Sequence, residues 1–163
     1  MPGLLPNIDP DGLLEYSVVY TDRSLNHMSN SFQKAMNDVS SSLKKVYNAE
    51  SVVLVPGGGT YGMEAVARQF ATDKNCLVLR NGWFSYRWSQ ILEMGNIPSK
   101  LTVLKASRVI DGPQEPFSPL DVDLVIEKIK KEKPAMFFAP HVETSAGIIL
   151  PNDYIKSVSD AVH

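Results

Sequence analysis

The sequence predicts an α/β fold, a mostly parallel sheet with helices on both faces. Two observations carry this prediction. Four short apolar runs, at residues 52–55, 76–79, 101–104 and 135–139, have the length and composition of strands buried on both sides. Between and after them, apolar residues fall at spacings of three and four, the pattern of helices with one buried stripe. Strand and helix patterns in alternation call for crossover connections, and so for parallel strands. A chain of 163 residues, 44% hydrophobic and 21% charged, is long enough to bury a sizeable core and too apolar to stay disordered.

The elements follow in order. Residues 1–9 hold Pro2, Gly3 and Pro6 and read as an extended arm. Asp9-Pro10 pairs an N-cap with a proline at the first helical position, which predicts a short helical turn over 11–15. After Asp22-Arg23-Ser24, apolar residues fall at Leu25, Met28, Phe32, Ala35, Met36, Val39, Leu43 and Val46. This spacing predicts a long helix capped by Ser24 and ending near Asn48, with Ser40-Ser41-Ser42 on its solvated face. Val52-Val53-Leu54-Val55 then predicts a buried strand, followed by Pro56, the run Gly57-Gly58-Gly59, and a helix with Thr60 at its N-cap. That helix places Met63, Val66, Ala67 and Phe70 on one face. The strand at 76–79 ends at Arg80-Asn81-Gly82. A helix from near Ser85 buries Trp88, Ile91 and Leu92 and stops at Gly95. After the strand at 101–104, the polar stretch 106–117 reads as a loop. A helix from Ser118-Pro119 carries Val122, Val125, Ile126 and Ile129 until Pro134 ends it. The last strand, 135–139, leads to a helix from Asn152 with Ile155, Val158 and Val162 along it. The expected organisation is an arm and short turn over 1–24 and one domain portion over 25–163.

Composition narrows the function. Sixteen Lys and Arg stand against eighteen Asp and Glu, a net charge of −2, and no basic stripe stands out, which argues against a nucleic-acid partner. No apolar segment approaches membrane-spanning length. The N-terminus lacks the basic and apolar regions of a signal peptide. Cys76, the single cysteine, reads as a small core residue in a reducing compartment, so the expected location is the cytoplasm. His27, His141 and His163 show no ligand spacing, and no metal is expected.

In parallel α/β sheets ligands bind beyond the carboxyl ends of the strands, which singles out three loops: 57–60, 81–84 and 141–147. The first joins glycines to a helix N-terminus, where free N–H groups and the helix dipole favour an anion such as a phosphate. Its simplest alternative reading is a tight turn that needs positive φ. The second offers the rings of Trp83 and Phe84, which otherwise form a lid on the core. The third holds His141, Glu143, Thr144 and Ser145, which otherwise serve as turn and capping groups. No lysine follows the glycines as in a P-loop, and the glycines lack the spacing of a dinucleotide fingerprint. A phosphate, a flat ring in need of a stacking partner and polar groups at its edge describe pyridoxal 5′-phosphate better than a nucleotide.

With these motifs the chain resembles the class V aminotransferases of the fold-type I pyridoxal-phosphate enzymes, especially the alanine–glyoxylate/serine–pyruvate group. Asp22-Arg23-Ser24 resembles the family's helix-opening segment and residues 56–64 its phosphate loop. Asn81-Gly82-Trp83-Phe84-Ser85-Tyr86-Arg87 is similar to its ring-stacking segment, and residues 141–147 to its His-x-Glu-(Thr/Ser)-Ser-x-Gly segment. The resemblance implies part of the large domain of a fold-type I transferase that binds pyridoxal 5′-phosphate. It implies that Gly58, Gly59 and Thr60 hold the phosphate, that Phe84 stacks on the pyridine ring, and that Thr144 bonds near the ring hydroxyl or phosphate. It also implies an aminotransferase acting on a small amino acid and a 2-oxo acid, as a homodimer.

The family's pyridinium aspartate, Schiff-base lysine and substrate-carboxylate arginine have no counterpart here and are expected beyond residue 163. No catalytic residue is therefore assigned within the chain, which reads as the N-terminal half of the large domain. The end of the sequence inside an apolar-periodic helix fits that expectation. Two alternatives remain open. One is a cysteine desulfurase of the same fold, a group that generally places a histidine where this chain has Phe84. The other is a non-catalytic binding or interaction module derived from the fold.

Overall fold

Four consecutive residues, Cys76, Leu77, Val78 and Leu79, are completely buried, and the sheet is built around them. The computed structural model describes residues 30–163 and, before them, only the strand residues 14–15 and 24–25. In chain order the elements are β1 (Leu14–Glu15), β2 (Ser24–Leu25), α1 (Asn30–Tyr47), α2 (Gly59–Phe70), β3 (Asn75–Arg80), α3 (Trp83–Met94) and β4 (Lys100–Lys105). There follow β5 (Ser107–Arg108), β6 (Phe117–Ser118), α4 (Val122–Glu132), β7 (Met136–Phe138) and β8 (Val142–Glu143). A 3-10 turn (Thr144–Ala146), β9 (Ile148–Ile149) and α5 (Asn152–Val162) complete the chain. It divides into two compact units, Met1–Val55 and Pro56–His163.

The first unit differs from expectation at three places. Its helix begins at Asn30, not Leu25, because Ser24 and Leu25 pair with Glu15 and Leu14 in an antiparallel ladder. Leu14 and Glu15, expected in a helical turn, are therefore strand residues, and the rest of that turn lies outside the described residues. At the far end the helix stops as expected: Lys44 and Lys45 occupy its last turn, where the dipole favours cations, and Asn48 turns left-handed at φ 48°. The third difference is at 52–55, where no strand forms. A strand exists only through hydrogen bonds to a neighbour, and no described segment supplies one. Val53 is 82% exposed.

In the second unit β3 lies between β4 and β7 and runs parallel to both, with Val78 opposite Val103 on one side and Phe138 on the other. Side chains alternate across the sheet. Cys76 and Val78 pack with Ala67, Ala71, Leu92, Ile97 and Phe138, which puts α2 and α3 on one face. Leu77 and Leu79 pack with Leu104, Val125, Ile129, Leu150 and Val158, which puts α4 and α5 on the other. The path β3–α3–β4 moves one way along the sheet and β4–α4–β7 moves back. Because the two helices also lie on opposite faces, the crossovers share one hand, as strand twist requires. Trp88 of α3 covers Phe138 of β7 with ring centroids 4.6 Å apart.

Element ends show where local chemistry decided the matter. The stripe of α2 is carried by Ala67 and continues to Ala71, both completely buried, while Val66 and Phe70 of the expected stripe are exposed. Helix α4 starts at Val122 behind Asp121, whose carboxylate accepts the Asp123 N–H at 2.9 Å; Ser118, the expected start, belongs to β6. That strand and β5 form a short antiparallel ladder within the stretch read as loop. Helix α3 ends at Gly95, but the left-handed residue is Asn96 (φ 48°). Gly95 is required sterically, since a Cβ there would meet the Ile91 carbonyl oxygen at 2.8 Å.

Candidate functional site

After β3 the chain enters α3 on one face of the sheet, and after β7 it reaches α5 on the other. The two exits diverge, which makes a crevice at the carboxyl ends of these adjacent strands. The crevice is bridged by a buried carboxylate. Glu143 is completely inaccessible to solvent. Its Oε1 accepts the Phe84 N–H at 3.0 Å and the Ser145 hydroxyl at 2.6 Å. Its Oε2 accepts the Ser85 N–H at 2.8 Å and the Ser85 hydroxyl at 2.6 Å.

The direction at Ser85 is fixed, because Ser85 Oγ already accepts from the N–H groups of Asn81 (2.8 Å) and Gly82 (3.1 Å) and has only its proton left for Glu143. Ser145 Oγ accepts from the Trp83 N–H at 2.7 Å and gives its proton to the same carboxylate. A carboxylate that receives four donors must be ionised. Burial alone would push its pKa up, but the bonds from the Ser145 and Ser85 hydroxyls and the Ser85 and Phe84 N–H groups together outweigh that, so the pKa lies below the ordinary carboxylate value. Gly82 makes the approach possible. A Cβ there would stand 2.6 Å from both Glu143 Cγ and Ser145 Oγ.

The N-terminus of α3 is therefore closed, with each N–H of its first turn satisfied from within the protein. That of α2 is different. Among the described residues no side chain caps it, and the backbone bond from Tyr61 N–H to the Gly58 carbonyl (2.9 Å) closes the turn. Its N-cap is Gly58, in extended conformation, so Thr60 is the second helical residue and not the cap. Among the three glycines, Gly57 is the one the backbone demands. It has φ +125°, and a Cβ would strike the Tyr61 ring at 2.2 Å. Apart from the adjoining chain, no described atom lies within 4 Å of where a Cβ would sit on Gly58 or Gly59, so among the described residues the start of the helix is open.

Thr60 is tied to α3: Arg87 Nη1 donates to Thr60 Oγ1 at 2.7 Å. Phe84 lies three residues before Arg87, on the same side of α3. The residue is 53% exposed, and its ring makes no ring contact among the described residues. Trp83, by contrast, stacks on Tyr86 with centroids 5.4 Å apart and planes at 18°, and Arg80 lies over that same Tyr86 ring. Thr144 is held between Glu143 and Ser145 in the 3-10 turn, its side chain exposed and its carbonyl accepting from Gly147 N–H at 3.3 Å. His141 is exposed as well, and its carbonyl accepts the Leu150 N–H.

The loops after β3 and β7 are thus joined directly by Glu143 and Ser145, while the glycine loop is joined to α3 through Arg87. In the sequence Glu143 is one of several polar loop groups, and Gly82 and Arg87 belong to the segment around Phe84 with nothing local to mark the contacts they make. Among the described residues no cluster has the composition of a metal site, and no helix is long and apolar enough to cross a membrane.

The α/β architecture matches a portion of a fold-type I pyridoxal-phosphate transferase. One such solved structure is the ureidoglycine–glyoxylate aminotransferase of Bacillus subtilis, with a TM-score of 0.67 and 22% identity over 85% of this chain and 34% of that one. The likeness is one of fold, and the chain spans about a third of the length of that enzyme. No protein-family model and no curated protein sequence matches the chain.

Proposed function

We propose that this chain is the N-terminal half of the large domain of a pyridoxal-phosphate-dependent aminotransferase, residues 25–163 forming the domain portion and 1–24 an arm. The observation that carries this reading is the uncapped, glycine-opened start of α2, tied through Thr60 to the helix that bears the exposed Phe84 ring. The fold shared with an aminotransferase supports it. The N–H groups at Gly58 and Gly59 and the Thr60 hydroxyl hold the phosphate. Phe84 covers one face of the pyridine ring, and Thr144 offers its hydroxyl to the ring edge or the phosphate. When bound, the cofactor supplies the electron sink needed to move an amino group between carbon skeletons. This chain's own residues bind and orient it; the lysine, aspartate and arginine that complete the chemistry follow residue 163 in the whole protein.

The substrates on this reading are a small amino acid and a 2-oxo acid. The enzyme is a homodimer in the cytoplasm, where the buried Cys76 thiol stays reduced. The test is to supply the complete protein with pyridoxal 5′-phosphate, a panel of small amino acids and glyoxylate or pyruvate. Amino transfer that depends on the added cofactor is expected. Sulfide release from cysteine in its place would make the protein a desulfurase, and neither activity would leave a binding module.

A further inference from the structure

Arg87 is a half-buried cation without a carboxylate partner among the described residues. It lines a cavity of about 460 Å³ between α2 and α3 together with Thr60, Glu64, Arg68 and Gln90. The acid that lines it, Glu64, is already held by Arg68 at 2.8 Å. Arg87 therefore adds positive charge beside the positive end of the α2 dipole, and no described side chain neutralises either. Such an arrangement costs stability until an anion arrives.

The bond to Thr60 adds a second effect. A guanidinium only donates, so Thr60 Oγ1 is the acceptor in the 2.7 Å contact. Its own proton has no partner among the described residues. With one lone pair occupied by Arg87, the hydroxyl rotor is restricted and its proton is turned away from α3.

We infer that Arg87 is a positioning residue for the phosphate of pyridoxal 5′-phosphate: it sets Thr60 as a hydrogen-bond donor and supplies the charge that makes the site select a phosphate dianion. The inference rests on the reading that this loop binds the cofactor. It goes beyond that reading in assigning phosphate selectivity to a residue outside the loop.

The experiment compares the complete protein's dissociation constants for pyridoxal 5′-phosphate and for pyridoxal, which lacks the phosphate, by absorbance or fluorescence titration. Arg87→Met keeps the apolar stem and removes the charge. It is expected to weaken pyridoxal 5′-phosphate by about 10- to 100-fold, the range of a lost charge-assisted contact, and to leave pyridoxal unchanged. Arg87→Lys restores part of the loss. Thr60→Val acts on a partly exposed position that tolerates it, so it tests the idea even where Arg87→Met folds poorly. Its loss is also confined to the phosphorylated ligand, and with Arg87→Met the effects fall short of additive, because both act through one hydroxyl. Equal weakening of both ligands by Arg87→Met would make the contact merely structural and overturn the inference alone, whereas equal weakening by Thr60→Val would overturn it and also remove Thr60 from the phosphate site. A wild-type protein that binds neither ligand overturns it together with the cofactor reading.

Discussion

Replacing Glu143 by glutamine tests the clasp between the two strand exits. The amide keeps the size of the side chain but presents two protons where the carboxylate presented lone pairs. If the NH₂ replaces Oε2, the Ser85 hydroxyl can turn to the Gly82 carbonyl, 3.2 Å away, but the Ser85 N–H is left buried and unpaired. If it replaces Oε1, Ser145 can turn to solvent, and the Phe84 N–H is orphaned. Either way one buried backbone donor is lost, at about 1–3 kcal/mol. Removing a negative charge from a helix N-terminus adds roughly 0.3–2 kcal/mol. The total is about 1–5 kcal/mol.

The assay is urea unfolding of wild type and variant across pH, with hydrogen exchange at the Phe84 and Ser85 amides. Because the folded pKa of Glu143 is depressed, its stabilisation is complete above the ordinary carboxylate value and is lost as pH falls through the lower folded one. The gap between wild type and variant should therefore be widest near neutral pH and close in acid. Equal stability at pH 7, with both amides still protected, would refute the reasoning.

Three further outcomes are expected. Gly59→Val should leave the fold intact, since no described atom outside the adjoining chain stands within 4 Å of the new Cβ, yet weaken pyridoxal 5′-phosphate in the complete enzyme; unchanged affinity in a titration removes Gly59 from the phosphate site. Phe84→Leu should cost about tenfold or less in cofactor affinity, the worth of roughly 0.5–1.5 kcal/mol of aromatic contact, and a loss on Trp83→Leu instead would shift the stacking position by one residue. Glu132, which accepts from the Thr102 hydroxyl and, against the opposing effect of burial, is bonded by Lys128 and Lys100, has its pKa lowered to about 2. Glu132→Gln should therefore destabilise the protein above about pH 4.5 and match wild type near pH 2, as read from denaturation midpoints at each pH.

Much of the fold was legible because its signals are local. The run at Cys76–Leu79 reads as a buried strand wherever it occurs, and the spacing of Val122, Val125, Ile126 and Ile129 reads as a helix. Residues 52–55 carry the same signal as 76–79 and form no strand, because pairing belongs to the neighbour and not to the run itself. Leu25 and Met28 continued the helical spacing upstream of Asn30, yet a ladder with Leu14 claimed Leu25 first. At the site, glycines and a helix start were visible, but whether Gly58 or Thr60 takes the cap depends on the path of the chain; threonine's usual preference lost to a glycine. The clasp was out of reach: Glu143 and Ser85 are 58 positions apart, and no periodicity links them. Arg87 looks like any helix-surface cation until Thr60 is placed beside it.

The clasp also bears on the order in which this unit assembles. Helix α3 is made of residues close in sequence, but its first turn stays incomplete until the segment after β7 arrives, because Glu143 and Ser145 supply the acceptors it lacks. Nascent α3 therefore frays at the end that carries Phe84. Docking of residues 143–145 closes a loop of nearly sixty residues, an entropic cost met only when the strands between are already paired. Once closed, Thr144 and Phe84 belong to one mechanical body, since Thr144 is flanked by two residues that each grip the start of α3. A substitution at 143 or 145 then reaches Phe84 without any contact with a ligand, and drift at either end of the clasp is constrained by the other.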